Sequence, residues 1–158
     1  NPATSNAITM TVNPLLPVSV SIAASANNVC AGTSVTFTAT PVNGGISPVY
    51  LWRKNSTTIS GATASTYSYV PINGDIITCQ LTSNATCPTG NPATSNAITM
   101  TVNPLLPVSV SIATSANNVC AGTSVTFTAT PVNGGATPVY LWKKNGSTIS
   151  GATASTYS

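Results

Sequence analysis

The stretch Val29-Cys30-Ala31-Gly32-Thr33-Ser34-Val35-Thr36-Phe37-Thr38-Ala39-Thr40 combines a cysteine, a turn glycine and an alternating segment. Val35, Phe37 and Ala39 alternate with small polar residues, which is the pattern of a β-strand with one buried face. The same twelve residues return at Val119–Thr130, 90 positions later. The chain is therefore a tandem repeat, and each copy should build its own β core.

The length of the repeat predicts the type of domain. Residues 1–68 align with residues 91–158 without a gap and differ at six positions. A unit of 90 residues is too long for a solenoid repeat and close to the roughly 100 residues of an immunoglobulin-like sandwich. We therefore predict an all-β chain of tandem immunoglobulin-like β-sandwich domains.

The repeat also predicts the domain boundaries. We expect 1–13 to be the last strand of a preceding repeat, 14–103 to be a complete repeat, and 104–158 to be the truncated first part of the next one. A sandwich that lacks its last strands leaves sheet edges uncovered. We expect both ends to be completed by more of the same chain or by a neighbouring copy.

Composition restricts the classes of function. Hydrophobic residues make up 42% of the chain and charged residues 3%, which favours a folded β protein over a disordered one. No apolar run is long enough for a membrane span. A net charge of +3 is too sparse for binding to nucleic acid. Four cysteines in a lysine-poor chain predict an extracellular or cell-surface location.

The inventory of reactive side chains argues against catalysis. The chain has no histidine and one carboxylate, Asp75. A general acid–base pair needs two titratable groups, and a serine or cysteine nucleophile needs a base. We predict that the protein is not an enzyme and has no cofactor or metal. Asp75 follows Asn73-Gly74 and is interpreted as a turn residue rather than a calcium ligand.

The cysteines predict both a core position and a cross-link. Trp52 and Cys79 occupy the places of the buried tryptophan and the sixth-strand cysteine of an immunoglobulin domain, while Phe37 replaces the second-strand cysteine. We predict that these three residues form the structural core. Cys30 and Cys87 lie in connections that such a sandwich can bring together, and a bridge between them would be worth roughly 4 kcal/mol. Cys79 with Cys87 is the competing pairing.

Two groups of surface-type residues have a binding interpretation and a structural one. Thr36, Thr38 and Thr40 form a regular hydroxyl row, but threonine also suits a solvent-facing strand, which we favour. Tyr67 and Tyr69 could stack on a sugar, although core or cross-strand packing is the commoner role.

Several motifs together resemble a known group of repeats. They are Val29 to Phe37, Tyr50-Leu51-Trp52, Asn73-Gly74-Asp75, Leu81 to Cys87 and Thr94 to Val102. These strings resemble the immunoglobulin-like repeats of very large secreted surface proteins of Bacteroidetes-type bacteria. The resemblance implies a stalk of an adhesin or of a protein exported by the type IX system, in some cases linked to gliding motility. It supplies no binding residues.

We predict a non-catalytic structural repeat of an extracellular fibre or adhesin stalk. Its partners would be neighbouring repeats of the same chain and other copies in a filament. Two alternatives remain open. One is a repeated module that binds a glycan or surface weakly and gains strength by avidity. The other is a pilin-like subunit that donates a strand to its neighbour, as Ser5 to Val12 would permit.

Overall fold

A computed structural model describes all residues from Asn1 to Ser158 and contains strands, turns and bends but no helix. The predicted all-β class is confirmed. No helix suited to crossing a membrane is present. The chain divides into two compact units, Asn1–Pro104 (unit 1) and Leu105–Ser158 (unit 2).

Unit 1 contains twelve strands, several of them only two residues long. They are β1 (Leu16–Pro17), β2 (Ser19–Ala24), β3 (Val29–Cys30), β4 (Val35–Val42), β5 (Val49–Lys54), β6 (Thr57–Thr58), β7 (Thr66–Tyr69), β8 (Ile76–Thr82), β9 (Pro88–Thr89), β10 (Ala93–Thr94), β11 (Ile98–Thr99) and β12 (Val102–Asn103).

Two antiparallel sheets form the sandwich of unit 1. The first has the order β2-β4-β7, and the second has the order β10-β8-β5-β6, with β11 also paired to β8. The chain crosses between the sheets after β4, after β6 and after β7, which is the connectivity of an immunoglobulin-like sandwich. Two short parallel pairs, β1 with β9 and β3 with β12, form separate two-stranded sheets.

The core of unit 1 follows from the alternation of its strands. Along β4, Val35, Phe37 and Ala39 are buried, and along β8 every second residue from Ile77 to Leu81 is buried. Because successive side chains of a strand point to opposite faces, each sheet contributes one apolar face. The buried cluster consists of Val18, Val20, Ile22, Val35, Phe37, Ala39, Tyr50, Trp52, Ile77, Cys79, Leu81 and Met100.

Unit 2 repeats only part of this arrangement. Its strands are β13 (Ser109–Thr114), β14 (Phe127–Val132), β15 (Lys143–Lys144), β16 (Ser147–Thr148) and β17 (Thr156–Tyr157). The sheet β13-β14-β17 copies the first sheet of unit 1, and β13 and β14 pair in the register of β2 and β4. The hairpin β15–β16 copies the ends of β5 and β6. Unit 2 has no counterpart of β8 to β12 in this chain.

The first thirteen residues form no strand and are exposed throughout. We predicted that this segment is the last strand of a repeat, and it has the residues of such a strand. In this structure it has no partner strand. The last residues of the chain do have a partner strand, because β17 pairs with β14.

Candidate functional site

The three residues predicted for the core meet inside unit 1. Phe37, Trp52 and Cys79 are all fully buried, and Trp52 lies directly opposite Cys79 across the β5–β8 pair. The rings of Phe37 and Trp52 lie 6.4 Å apart, and the Trp52 indole N–H donates to the Ala64 carbonyl at 2.9 Å. Burial raises the pKa of the Cys79 thiol to about 11. Cys79 is therefore a protonated packing residue rather than a nucleophile.

Tyr67 and Tyr69 extend this aromatic cluster. Their rings stack at 5.3 Å, and each also faces the core, with Tyr67 6.0 Å from Trp52 and Tyr69 5.9 Å from Phe37. Such offset pairs stabilise beyond the area that they bury. Both tyrosines are half-buried on β7 and serve cross-strand packing. The threonine row on β4 faces outward, where Thr36 shares a hydrogen bond with Ser68 at 2.7 Å.

Asp75 has a larger role than the turn residue that we expected. Its carboxylate is buried and accepts hydrogen bonds from the Asn55 amide at 3.1 Å, the Tyr69 hydroxyl at 2.9 Å and the Ile72 backbone N–H at 3.1 Å. Lys54 lies 4.0 Å away and is partly exposed. These contacts tie the ends of β5 and β7 to the turn before β8.

The network also determines the charge of Asp75. Burial by itself would raise its pKa, but the Ile72 N–H, the Tyr69 and Asn55 side chains and the Lys54 charge together hold the pKa below the ordinary value. Burial and the same hydrogen bond raise the pKa of Tyr69. No three histidine, cysteine, aspartate or glutamate side chains cluster as a metal site would require. Asp75 is a structural anion that is satisfied by protein donors.

The predicted bridge between Cys30 and Cys87 is not formed. Both are exposed free thiols. The backbone carbonyl of Cys87 accepts from the Leu16 N–H at 3.0 Å, just before β2 begins. Cys30 pairs with Asn103 in the β3–β12 pair, which lies beyond the other end of β2. The six residues of β2 alone rise about 20 Å between these positions. A disulfide needs Cα atoms within about 7 Å, so the two cysteines lie at opposite ends of the sandwich.

The competing pairing is absent too. Cys79 is a buried free thiol in the middle of β8, while Cys87 follows the end of that strand. Cys120, the copy of Cys30, is also free and exposed. The fold is thus held by packing and hydrogen bonds, and the three exposed thiols form no cluster.

The most unusual surface of the molecule is the open face of unit 2, defined by Val108, Val110, Ile112, Leu141 and Trp142. Val110 and Ile112 are exposed, whereas their copies Val20 and Ile22 are buried in unit 1. The exposed fraction is 6% for Ile22 and 66% for Ile112. A groove of about 390 Å³ runs along this face between β13 and the segment from Pro138 to Trp142.

The cause of this exposure lies in the missing neighbours. In unit 1 the same face is covered by β8 and by the strands that follow it, which supply Ile77, Cys79, Leu81 and Met100 to the core. Unit 2 contains no copy of β8 to β12, so this face stays exposed in the structure. Uncovered edges were expected in unit 2 because it lacks the last strands of a sandwich. The alternation in β13 alone does not distinguish this strand from its buried copy β2.

No protein-family model matches this chain. The highly immunogenic outer capsid protein of Enterobacteria phage T4 is 35% identical over 130 residues, which cover 77% of this chain and 34% of that protein. The chain thus spans about a third of the length of the curated relative that it matches. Among solved structures, the three N-terminal domains of the bacteriophage RB49 Hoc protein align over 89% of this chain and 48% of that chain, with 19% identity and a TM-score of 0.44.

The phage relative corrects one sequence-based conclusion and supports another. The resemblance to Bacteroidetes-type adhesins is wrong, because the curated protein that matches is a capsid protein of a phage. The motifs that carried the resemblance are strand alternations and turns, which the sandwich itself requires in any organism. The prediction of a structural, non-catalytic protein agrees with this relative. The chain is an all-β sandwich, and the relative that it matches is named as a capsid protein rather than as an enzyme.

Proposed function

We propose that the chain is a spacer segment of a phage protein that decorates the outside of a capsid. The observation that carries this proposal is the 35% identity to an outer capsid protein over 130 residues. This function keeps the predicted role of a passive extracellular array but places it on a virion rather than on a bacterial cell.

The structure of unit 1 is suited to such a role. Its core is closed by its own strands, the carboxylate of Asp75 is satisfied by internal hydrogen-bond donors, and the outward face of β4 carries threonine. A spacer needs length and independent folding of each repeat rather than a shaped pocket. Near-identical repeats meet that requirement, since each added copy extends the array without new partners.

The location can be tested by immunogold electron microscopy. Antibodies raised against the 158-residue chain should label the outside of intact phage particles from cultures that express the gene. Serum that has been absorbed with the purified chain is the control and should give no label. Gold on cell envelopes alone, or on particles only after disruption, would contradict decoration of the capsid exterior.

A further inference from the structure

The first and last segments of unit 1 are joined directly to each other. Residues 22–31 follow the entry of the chain into unit 1, and residues 96–103, which we call the closing strand, lie at the end of that unit. The two segments are far apart in sequence, yet hydrogen bonds link them along their length. We call this set of hydrogen bonds the clamp.

Asparagine side chains form one part of the clamp. The Asn96 side chain accepts from the Ile22 N–H at 2.9 Å and donates to the Ile22 carbonyl at 3.1 Å. The Asn27 side chain donates to the Thr99 carbonyl at 2.9 Å and accepts from the Thr101 N–H at 2.8 Å. Each of these side chains therefore binds both a backbone donor and a backbone acceptor of the opposite segment.

The β3–β12 pair forms the other part of the clamp. The Val29 N–H donates to the Thr101 carbonyl at 3.1 Å, and the Ala31 N–H donates to the Asn103 carbonyl at 2.8 Å. The Asn103 side chain also donates to the Asn28 side chain at 2.8 Å. These bonds hold the closing strand where the chain leaves unit 1.

The chain enters and leaves unit 1 at opposite ends of the sandwich. Leu16 bonds to the Cys87 carbonyl just before β2 begins, which defines the entry end. Asn103 pairs with Cys30 beyond the other end of β2, which defines the exit end. The six residues of β2 alone rise about 20 Å between these positions. Tension on the chain would therefore act along the strands of the unit.

Such tension would slide the two clamped segments past each other. Their partners advance together, from Ile22 and Asn96 to Cys30 and Asn103, so the segments run side by side in the same direction. Tension at the entry end draws residues 22–31 backward, and tension at the exit end draws the closing strand forward. Because bonds between neighbouring strands lie across the strand axes, all clamp bonds are then loaded together in shear. A pair that is opened from one end loses its bonds one at a time and resists less force.

We propose that unit 1 is a load-bearing module, in which the clamp resists tension applied through the two ends of the repeat. This role rests on the proposed spacer function, since a spacer is pulled through the residues that enter and leave each repeat. The clamp and the closed core of unit 1 let the repeat stay folded while it carries load.

Single-molecule force spectroscopy tests whether unit 1 is strongest when it is pulled through its two ends. Handles at Asn1→Cys and Leu105→Cys load unit 1 from its entry end to its exit end. Both positions are exposed and lie outside any strand, so these handles leave the fold intact. Rupture of the unit releases residues 16–103, about 300 Å of extended chain, which identifies the event. The exposed native thiols are first replaced by serine, at Cys30, Cys87 and Cys120.

A second pair of handles loads the same fold from one end. Asn1→Cys and Ile46→Cys both pull at the entry end, because the loop that begins at Asn43 bonds to the Pro17 carbonyl there. This force opens the antiparallel β2–β4 pair from its entry end, one bond at a time. Unit 1 should rupture at a clearly higher force through its two ends than in this geometry. Equal rupture forces in the two geometries would overturn the proposal.

Removal of clamp bonds is the second test. Asn27→Ala removes the bonds to Thr99 and Thr101, and Asn27 is exposed, so unit 1 still folds. Forced unfolding follows the unfolding rate, and two hydrogen bonds of ordinary strength are lost, so the rupture rate at equal end-to-end force should rise about tenfold. When unit 1 is pulled from the entry end alone, the variant should rupture like the parent, because the clamp lies at the far end of β2.

Ser83→Ala is the matched control, because it also removes two hydrogen bonds but lies outside the clamp. The Ser83 hydroxyl donates to the Asn43 carbonyl at 2.6 Å and accepts from the Ala85 N–H at 3.0 Å. Both variants should destabilise unit 1 in urea, whereas only Asn27→Ala should speed rupture through the two ends. Equal acceleration by the two variants would indicate a general loss of stability and would contradict a clamp. That result would leave the capsid location untouched, since immunogold labelling tests it separately.

Discussion

Replacement of Ile22 by alanine should destabilise unit 1 far more than the same replacement of Ile112 destabilises unit 2. The two isoleucines have identical neighbours in sequence and the same strand register, with Ile22 opposite Ala39 and Ile112 opposite Ala129. They differ in exposure, which is 6% and 66%. The pair therefore isolates burial from β-propensity, because the loss of propensity is common to both variants.

The magnitude follows from the three carbon groups that the substitution removes. At about 0.8 kcal/mol for each buried group, plus a cavity term, Ile22→Ala should cost about 3 kcal/mol. Ile112 is only about a third buried, so Ile112→Ala should cost about 1 kcal/mol or less. The expected difference between the two variants is about 2 kcal/mol.

Urea unfolding can measure both losses if each unit has its own fluorescent reporter. Trp142→Phe leaves Trp52 to report on unit 1, and Trp52→Phe leaves Trp142 to report on unit 2. Equal losses in the two units, or a cost of Ile22→Ala below about 1 kcal/mol, would refute the assignment of a closed core to unit 1 alone.

Three further predictions use other residues. Thiol titration of the native chain should modify three cysteines quickly and Cys79 only in urea, because its pKa is raised to about 11 by burial. The ionised Asp75 should stabilise unit 1 fully above about pH 4, and this stabilisation should be lost as the pH falls through the depressed pKa of Asp75. In urea titrations, the difference in unfolding free energy between the parent and Asp75→Asn should therefore become smaller in acid. Asn96→Ala should lower the unfolding free energy of unit 1 by about 1–3 kcal/mol in urea, because it leaves the backbone N–H and carbonyl of Ile22 without hydrogen-bond partners. Asn6→Ala, at the copy of this position, should change the stability of unit 1 by less than about 0.5 kcal/mol.

Local sequence patterns were sufficient to predict the β-sandwich and the residues at the centre of its core. The alternation of Val35, Phe37 and Ala39 identified a half-buried strand, and the placing of Trp52 before Cys79 identified the pair that meets across β5 and β8. These features depend on period-two alternation and on the order of strands, both of which are written in the sequence.

Other features depend on which strands are present as neighbours. Met10 and Met100 have identical flanking residues, yet only Met100 has β8 beside it and is buried. The bridge predicted for Cys30 and Cys87 failed because the loops that hold them lie at opposite ends of β2, which loop order alone does not reveal. The buried role of Asp75 could have been suspected from its being the only carboxylate in the chain, but its donors come from three separate segments.

Near-identical sequences form a closed core in unit 1 and leave an open face in unit 2. Hydrogen–deuterium exchange tests it within one molecule, by comparing peptides from 18–42 with their copies from 108–132, which differ only at Ala24/Thr114. Amides of the β2–β4 pair should exchange much more slowly than those of the β13–β14 pair, because only the first pair is covered by a second sheet. Equal protection of the two pairs would contradict the account.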